Sequence, residues 1–433
     1  MKYAAQKAKY RKGLKTFLPR VHQTYRNLVF RELGTIQSGQ IRLYEGSECH
    51  CFGEPDTDLT GIIHVTDSSC YRDMTLGGSL GAAEAFIKGR WTSPGLATFI
   101  QVLARNMTTV SQLETGWAAL VQPLRRLSHF LHRNTRRGSR RNIAAHYDLS
   151  NDFFQMMLDS KMMYSCAFFE SDHDDLEQAS TQKLDRICRK LDLHPKDRLV
   201  EIGTGWGGLA IFAAKHYGCQ VTTTTISKQQ FEFVKAAIAR EGLKDRIELL
   251  FSDYRDLTGQ FDKLVSVEMI EAVGHQYLGD YFKTCARLLK PGGSMLIQAI
   301  TIPDDRYKSA LREVDFIKRY IFPGGFIPSV GAMVLASADH TNLRLSHFED
   351  QTGHYAKTLA LWHQNFKRHL DHLPAHLNTP EFIRMWTYYL AYSEGGFREK
   401  VIGSAQLMFS KPQHSEPAPM TGFGSESVRH DAG

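Results

Sequence analysis

A glycine-rich stretch near the middle of the chain is the segment whose residue types and spacing best define a chemistry. Residues 199–202 have the pattern of a buried strand, and residues 209–215 that of the start of a helix. Between these two segments stand Gly203, Gly205, Gly207 and Gly208. Glycine lets a backbone approach a ligand closely, because it has no Cβ and tolerates positive φ. A turn of this kind after a strand predicts a nucleotide-type ligand.

The details of the turn favour an adenosyl ligand that lacks a diphosphate. The pattern G-x-G-x-G-G is one position short of the dinucleotide form, and the next strand, 221–225, carries no carboxylate where a nicotinamide site needs one. Glu201 would accept hydrogen bonds from hydroxyl or ammonium groups but would repel a diphosphate. We therefore expect S-adenosylmethionine as the cofactor. The alternative is a tight turn in another kind of doubly wound domain.

Length and composition indicate an ordinary globular protein of two or three domains. The chain has 433 residues, of which 42% are hydrophobic and 23% charged. No apolar run is long enough to span a bilayer, and the N-terminus lacks the apolar core of a secretory signal. The seven cysteines are scattered and odd in number, which predicts reduced thiols in a cytoplasm. No His or Cys spacing predicts a metal site.

The net charge of +7 is concentrated in two segments. Residues 125–141 contain seven arginines and no acid, and the first 31 residues contain nine Lys or Arg residues and no acid. Such clusters suit an anionic partner. We expect a cytoplasmic protein that binds peripherally to the inner face of an anionic membrane, rather than a nucleic-acid-binding protein. A solvated linker is the alternative for 125–141, and a homodimer stays open.

Alternating strand and helix patterns predict an α/β fold with a mostly parallel, doubly wound sheet. The predicted strands are 199–202, 220–225, 246–251, 262–267 and 294–300, and the helices between them include 228–241 and 276–289. In the N-terminal part, strands are predicted at 40–44 and 61–65 and helices at 81–87 and 96–104. The predicted organisation is an N-terminal α+β domain at 20–124, a basic linker at 125–141, a main domain at 142–410 and a disordered tail at 411–433.

Several stretches, in order along the chain, resemble the cyclopropane-fatty-acyl-phospholipid synthases. The strongest are 146–154 (HYDLSNDFF), 163–168 (MYSCAF) and 201–208 (EIGTGWGG). Further matches are 266–271 (SVEMIE), 320–325 (YIFPGG), 382–397, and the N-terminal residues 77–86 and 89–91. The resemblance covers roughly residues 20 to 410, so it is far more specific than the glycine turn alone.

The resemblance implies a class I methyltransferase (Rossmann-like) fold, preceded by a smaller domain that handles lipid. Members transfer the methyl carbon of S-adenosylmethionine to the cis double bond of an unsaturated acyl chain in a phospholipid, and a carbocation then closes to a cyclopropane. The matching cofactor-binding positions are Tyr164, Ser165, Gly203, Gly205, Thr225, Gln230, Asp253 and Tyr254.

The resemblance also implies a bicarbonate ion as the base that accepts a proton from the carbocation. The matching positions are the backbone amides of Cys166 and Ile300 and the side chains of Glu271 and Tyr355. Where the family has a histidine, this chain has Gln298, which can hydrogen-bond an anion but cannot carry charge. This departure bears on how the base is held and on whether the product is a cyclopropane, and leaves methyl transfer untouched.

Three alternatives remain open from the residues. The same carbocation can give a methylene or methyl branch in place of a ring. Some amine N-methyltransferases share the His-Tyr-Asp and Tyr-Ser-Cys stretches, although a soluble amine requires neither the N-terminal domain nor its basic flanks. A lipid-binding protein without catalysis is the third alternative, which Gln298 could signal.

Overall fold

The computed structural model describes residues 23–107 and 149–413, which form a small N-terminal unit and a larger α/β unit. The predicted linker 125–141, residues 146–148 of the resemblance and residues 414–433 of the predicted tail lie outside the described residues. Within the described ranges, no helix combines the length and the apolar character needed to cross a membrane.

The small unit is a four-stranded sheet covered by helices. Helix α1 comprises residues 23–33. The strands are β1 (Gln40–Glu45), β2 (Glu48–Gly53), β3 (Thr60–Val65) and β4 (Trp91–Thr92), in the order β2-β1-β3-β4. The helices packed on them are α2 (Ser69–Ile87) and α3 (Leu96–Arg105). The predicted helix 81–87 is the second half of α2, which is broken at Gly78 with φ +59°.

The larger unit is built on a seven-stranded sheet. Its strands are β5 (Arg198–Ile202), β6 (Gln220–Thr225), β7 (Ile247–Phe251), β8 (Phe261–Val267), β9 (Leu289–Thr301), β10 (Arg344–Asp350) and β11 (Gly403–Ser410). The order is β10-β11-β9-β8-β5-β6-β7, in which β5 to β9 pair in parallel and β10 and β11 are antiparallel. This sheet confirms the predicted doubly wound α/β fold. The carboxyl ends of the parallel strands form one edge, where ligands bind in such sheets.

Helices cover both the sheet faces and that edge. They are α4 (Asn151–Gln155), α5 (Leu176–Lys190), α6 (Gly208–Phe212, continued by a π-helical turn, Ala213–Tyr217), α7 (Lys228–Arg240), α8 (Leu278–Leu288), α9 (Asp304–Ala310), α10 (Val330–His340), α11 (Thr352–Arg368) and α12 (Pro380–Arg398). Shorter helical turns are Tyr254–Asp256, Ile270–Ala272, His275–Tyr277, Ile317–Ile321 and Leu370–His372.

The structure corrects two predicted boundaries near the C-terminal strand pair. Helix α8 ends at Leu288, and β9 begins at the next residue, so residues 289–293 belong to the strand, which was predicted to begin at residue 294. The reason is pairing with a distant segment: Gly292 N donates to Lys411 O and Lys411 N donates to Gly293 O. Lys411 is therefore hydrogen-bonded to the sheet, although it was predicted as the first residue of the tail.

The two units share one hydrophobic core through helix α12. Gly395 lets α3 pack closely, since a Cβ at this position would lie 2.7 Å from Ile100 Cγ2. At the rim, Arg105 forms a 2.9 Å salt bridge with Glu399. This shared core fixes the small unit against the helices that cover the carboxyl edge of the large sheet.

Candidate active site

The glycine turn has the backbone geometry that the sequence predicts. Gly203, Gly205 and Gly207 have φ values of +93°, +53° and +87°, a region that side chains other than glycine rarely occupy. A Cβ built on Gly205 would meet no atom within 4 Å, so the space beside the turn is open. The turn thus leaves room for a ligand at the carboxyl end of β5.

A buried carboxylate lies just before the turn. Glu201 Oε2 accepts a 2.5 Å hydrogen bond from Thr223 Oγ1 on the neighbouring strand β6. Burial raises the pKa of Glu201 to about 7. Because the side chain is fixed at the strand end, it can offer an acceptor to a ribose hydroxyl or an ammonium group.

The ends of β6 and β7 place the other predicted cofactor residues along the same edge. Thr225 Oγ1 donates to Gln230 Oε1 at 2.9 Å, and Ser227 caps helix α7. Asp253 follows β7, and both of its carboxylate oxygens accept hydrogen bonds from Arg255, at 2.8 and 2.7 Å. Tyr254 packs edge-on against Tyr281. These groups and the open turn fit an adenosyl ligand without a phosphate.

The segment that carries Tyr164 and Ser165 lies directly on the glycine turn. A Cβ at Gly208 would lie 2.7 Å from Lys161 O, so only glycine permits this approach. The Tyr164 hydroxyl lies 2.8 Å from the Tyr389 hydroxyl on α12. Ser165 Oγ accepts a 2.7 Å hydrogen bond from Lys183 Nζ. The structure therefore joins these two predicted residues to the turn.

Four of the five predicted catalytic positions surround a residue that the sequence did not single out, Glu268 at the end of β8. Its Oε1 accepts hydrogen bonds from Cys166 N (2.8 Å) and Gln298 Nε2 (3.0 Å). Its Oε2 accepts a 2.6 Å hydrogen bond from the Tyr355 hydroxyl. The remaining neighbour is Glu271, whose charge interaction with Glu268 is described below. Three of the groups predicted to hold a separate anion thus donate to a carboxylate of the chain itself.

Glu271 lies three residues further on, in a different environment. It is on the helical turn Ile270–Ala272, and its Oε1 accepts a 2.6 Å hydrogen bond from Ile300 N. Burial, and then the charge of Glu268, raise the pKa of Glu271 to about 8, so it is mostly protonated at neutral pH. The Ile300 amide therefore serves Glu271 in this structure.

Burial also raises the pKa of Glu268, but hydrogen bonds from Tyr355, Cys166 N and Gln298 favour its charged form, as does Lys183. The Cys166 thiol is itself fully buried, and burial keeps its pKa well above the usual range. Cys166 hence contributes its backbone amide, while its side chain is a small buried group. Of the two carboxyl groups, Glu268 has the environment that better supports ionisation.

A chain of polar side chains fixes the orientation of Gln298. Its Oε1 accepts a 2.9 Å hydrogen bond from Gln406 Nε2, and Gln406 Oε1 accepts a 2.6 Å hydrogen bond from Lys190 Nζ. Because a lysine ammonium only donates, Gln406 must present its amide NH₂ to Gln298. Gln298 must then present its own NH₂ to Glu268. The last member of this series of hydrogen-bonded side chains is Glu349, which is paired with Lys190 and Arg186.

Replacing Glu349 with glutamine should lower the free energy of unfolding by about 2 kcal/mol at neutral pH. Burial opposes ionisation of Glu349, but hydrogen bonds from Arg186 and Lys190 outweigh it and lower its pKa to about 2. Because the pKa is lowered in the folded state, ionised Glu349 stabilises the fold at pH values above its ordinary pKa of 4.5. This stabilisation is lost as the pH falls toward 2. Urea unfolding of both proteins at several pH values measures the difference. The exposed pair partner Glu381, changed to glutamine, is the control, and an equal effect of both changes would contradict the prediction.

Lys183 is the second functional candidate that the sequence did not single out. It lies on α5 with no exposed surface, donates to Ser165, and interacts electrostatically with Glu268 and Asp159. Burial lowers its pKa. No local signal marks it, since a lysine in an amphipathic helix normally faces solvent. The only sequence signal for Glu268 is its spacing from Glu271, together with the replacement of a charged group by Gln298.

Aromatic rings enclose the carboxyl groups on the side of α11 and α12. Tyr355 stacks on Phe397 with ring centroids 4.4 Å apart, and Trp362 lies edge-on to it. Tyr164 packs between Phe154 and Trp362, 5.2 Å from each. Such a wall excludes water and presents ring faces that attract a cation. The residue after Glu268 contacts the turn, since a Cβ at Gly203 would lie 3.0 Å from Met269 Cγ.

Comparisons with known proteins cover this whole region. The family model for mycolic acid cyclopropane synthetase matches residues 134–407. This range contains every residue of the carboxyl pocket, by which we mean Glu268, Glu271 and the groups around them, Cys166, Lys183, Gln298, Ile300 and Tyr355. A tuberculostearic acid methyltransferase of Mycobacterium tuberculosis is 40% identical over 345 residues, 78% of this chain and 80% of the relative. The cyclopropane-fatty-acyl-phospholipid synthase of Escherichia coli is 35% identical over 351 residues, 81% of this chain and 87% of that protein. A solved mycolic acid cyclopropane synthase in complex with SAH and CTAB has a TM-score of 0.59 and 30% identity, over 63% of this chain and 98% of that one.

Proposed function

This chain belongs to the mycolic acid cyclopropane synthetase family, and from that premise we propose that it transfers the methyl carbon of S-adenosylmethionine to the cis double bond of unsaturated phospholipid acyl chains. It is an S-adenosylmethionine-dependent methyltransferase with a class I fold. The observation that supports the lipid substrate is the partly buried carboxyl pair, which aromatic rings enclose and which Met269 joins to the cofactor turn.

The residues of the site have two roles in this reaction: some position the reactants, and others stabilise the charge that develops. Bound S-adenosylmethionine supplies an electrophilic methyl group. An alkene is a weak nucleophile, so the turn at Gly205 and the wall at Tyr164 must hold the two reactants close together. The aromatic rings around Tyr355 keep water from a carbocation on the acyl chain and stabilise its charge. A carboxylate in the same pocket stabilises the cation further and can accept its proton.

The small unit supports a substrate presented by a membrane. It is fixed against the catalytic unit by α12, as expected for a domain that guides a lipid, and a soluble amine substrate requires no such unit. We propose that the enzyme works peripherally at the cytoplasmic surface of an anionic membrane. The arginines of residues 125–141 would supply the attraction, at about 1 kcal/mol for each basic residue near the surface.

Two products are compatible with this chemistry. The cyclopropane is our first candidate, in line with the name of the Escherichia coli relative. A methylene branch is the second candidate, which a separate hydride donor would have to reduce to give a methyl branch, and the 40% identical relative, a tuberculostearic acid methyltransferase, favours it. Both products begin with formation of the same C–C bond, and they differ in whether the carbocation then closes to a ring or forms a double bond.

Mass spectrometry of phospholipids tests the proposal. Purified enzyme, S-adenosylmethionine and vesicles of unsaturated phosphatidylglycerol should yield acyl chains heavier by one CH₂, and fragmentation separates the ring from the branch. Zwitterionic unsaturated vesicles should react more slowly, and saturated phosphatidylglycerol should not react. Methylation of small amines without any lipid product would contradict the proposal.

A further inference from the structure

The carboxylate of Glu268 occupies the place predicted for a bicarbonate ion. The hydrogen-bond donors matched to that ion include the Cys166 amide and the side chains at 298 and 355, and all three donate to Glu268 at 2.6 to 3.0 Å. The fourth donor, the Ile300 amide, is engaged by Glu271. With these donors occupied, the residues present do not fit a separate bicarbonate.

The backbone at Glu268 is strained. Its φ is +49°, in the left-handed region that side chains other than glycine rarely adopt. Its amide is nonetheless held, since it donates to Gln298 O at 2.8 Å. A strained residue that also carries a partly buried, fully hydrogen-bonded carboxylate is a candidate for a functional role.

The surroundings of Glu268 supply donors rather than acceptors. Lys190 fixes Gln406, which fixes Gln298, so that an NH₂ faces Glu268. The Tyr355 hydroxyl donates from the other side, and Lys183 contributes positive charge. Glu271, by contrast, receives one hydrogen bond and feels the charge of Glu268. Burial raises the pKa of both carboxyl groups, and the three donors around Glu268 favour its ionised form more than the surroundings of Glu271 do.

We propose that Glu268 is the proton acceptor of the reaction and replaces bicarbonate in this enzyme. The proposal rests on the proposed function and deepens it. The C–C bond forms from the π pair of the alkene while the C–S bond breaks and leaves its pair on sulfur, so the other alkene carbon becomes cationic. Glu268 then takes a proton from the transferred carbon, and the freed C–H pair closes the ring. If a hydride first shifts from the methylated carbon to the neighbouring cationic carbon, the C–H pair of the transferred carbon forms a methylene double bond instead of a ring. The proton passes from Glu268 to water when the product leaves.

The parent enzyme provides the first test. In buffer freed of carbon dioxide, its turnover on unsaturated phosphatidylglycerol vesicles should change by less than about twofold when bicarbonate is added, because the base is part of the chain. A saturable increase of about tenfold or more would overturn the proposal, since it would show that the acceptor comes from solution.

Two substitutions at Glu268 give opposite expectations for rescue. Glu268→Gln keeps the shape but removes the acceptor, so turnover should fall roughly 100-fold or more, and bicarbonate should not restore it. Glu268→Gly frees the three donors and suits the positive φ, so turnover should be equally low but rise saturably with bicarbonate or formate. Parental turnover in Glu268→Gln would overturn the proposal. So would a loss in Glu271→Gln that exceeds the loss in Glu268→Gln.

Calorimetry tests the pocket without any lipid turnover. Bicarbonate should bind to Glu268→Gly and should not bind to the parent or to Glu268→Gln. Binding of equal strength to parent and glycine variant would overturn the proposal. If the parent makes no lipid product, the proposed function fails, while this binding contrast still reports whether Glu268 fills the anion pocket.

Discussion

Replacing Gly205 with valine is expected to abolish binding of S-adenosylmethionine while the protein stays folded. The position that a Cβ would take is open, with no atom within 4 Å, so the side chain would enter the ligand's space without clashing with the protein. Titration calorimetry should show affinity weakened by at least about 100-fold, equivalent to about 2.7 kcal/mol.

The control separates this effect from backbone strain. Gly205 has φ +53°, so valine there costs about 1–3 kcal/mol of stability wherever the ligand lies. Gly46, between β1 and β2, has φ +57° and is equally open. Gly46→Val should therefore unfold at a similarly lowered denaturant concentration but bind the cofactor with parental affinity. A folded Gly205→Val protein with parental affinity would show that the ligand does not approach this turn.

Replacing Lys183 with methionine should destabilise the protein by about 1–3 kcal/mol, the usual effect of leaving a buried polar group without its hydrogen-bond donor. Methionine fills a similar volume, but Ser165 loses its donor, and Glu268 and Asp159 lose the charge that favours their ionised forms. Urea unfolding measures the difference. The folded-state pKa values of both acids rise in the variant, so the deficit should grow as the pH rises from about 5 to about 8.

An exposed lysine in a comparable helix is the control for this change. Lys235 lies on the solvent face of α7, and Lys235→Met should alter the unfolding free energy by no more than about 0.5 kcal/mol. If Lys183→Met and Lys235→Met have equal effects, Lys183 does not compensate the buried carboxyl groups.

Local patterns were sufficient for the parallel part of the sheet and for the cofactor turn. Most of the parallel strands contain a short apolar run, and β6 is marked instead by β-branched threonines. The glycines at 203, 205 and 207 mark a backbone that other residues adopt with difficulty. Strand β10 was not predicted because almost all of its residues are exposed, so it lacks the alternation that marks a half-buried strand. Strand β11 was not singled out either, and its partners β9 and β10 lie far away in sequence.

The carboxyl pocket was beyond the reach of local patterns because its contacts join distant segments. Glu268 meets Cys166, Gln298 and Tyr355, which are separated from it by 102, 30 and 87 positions. The family resemblance supplied the donors, but it directed attention to Glu271 and to an ion from solution. What the sequence did contain was one departure from the family, an uncharged amide at 298, and a carboxylate at 268 that this amide can serve.

Helix α12 has a consequence for how such a chain can be inherited. One side of the helix carries Tyr389, which reaches Tyr164 beside the cofactor turn. Another side carries Tyr388, which packs on Phe86, and Gly395, which admits Ile100. A descendant that discarded the small unit would expose this apolar side to water and would have to change several α12 positions at once. Loss of the small unit therefore requires coordinated changes in α12, and a chain without this unit must carry a different set of residues on that side of the helix.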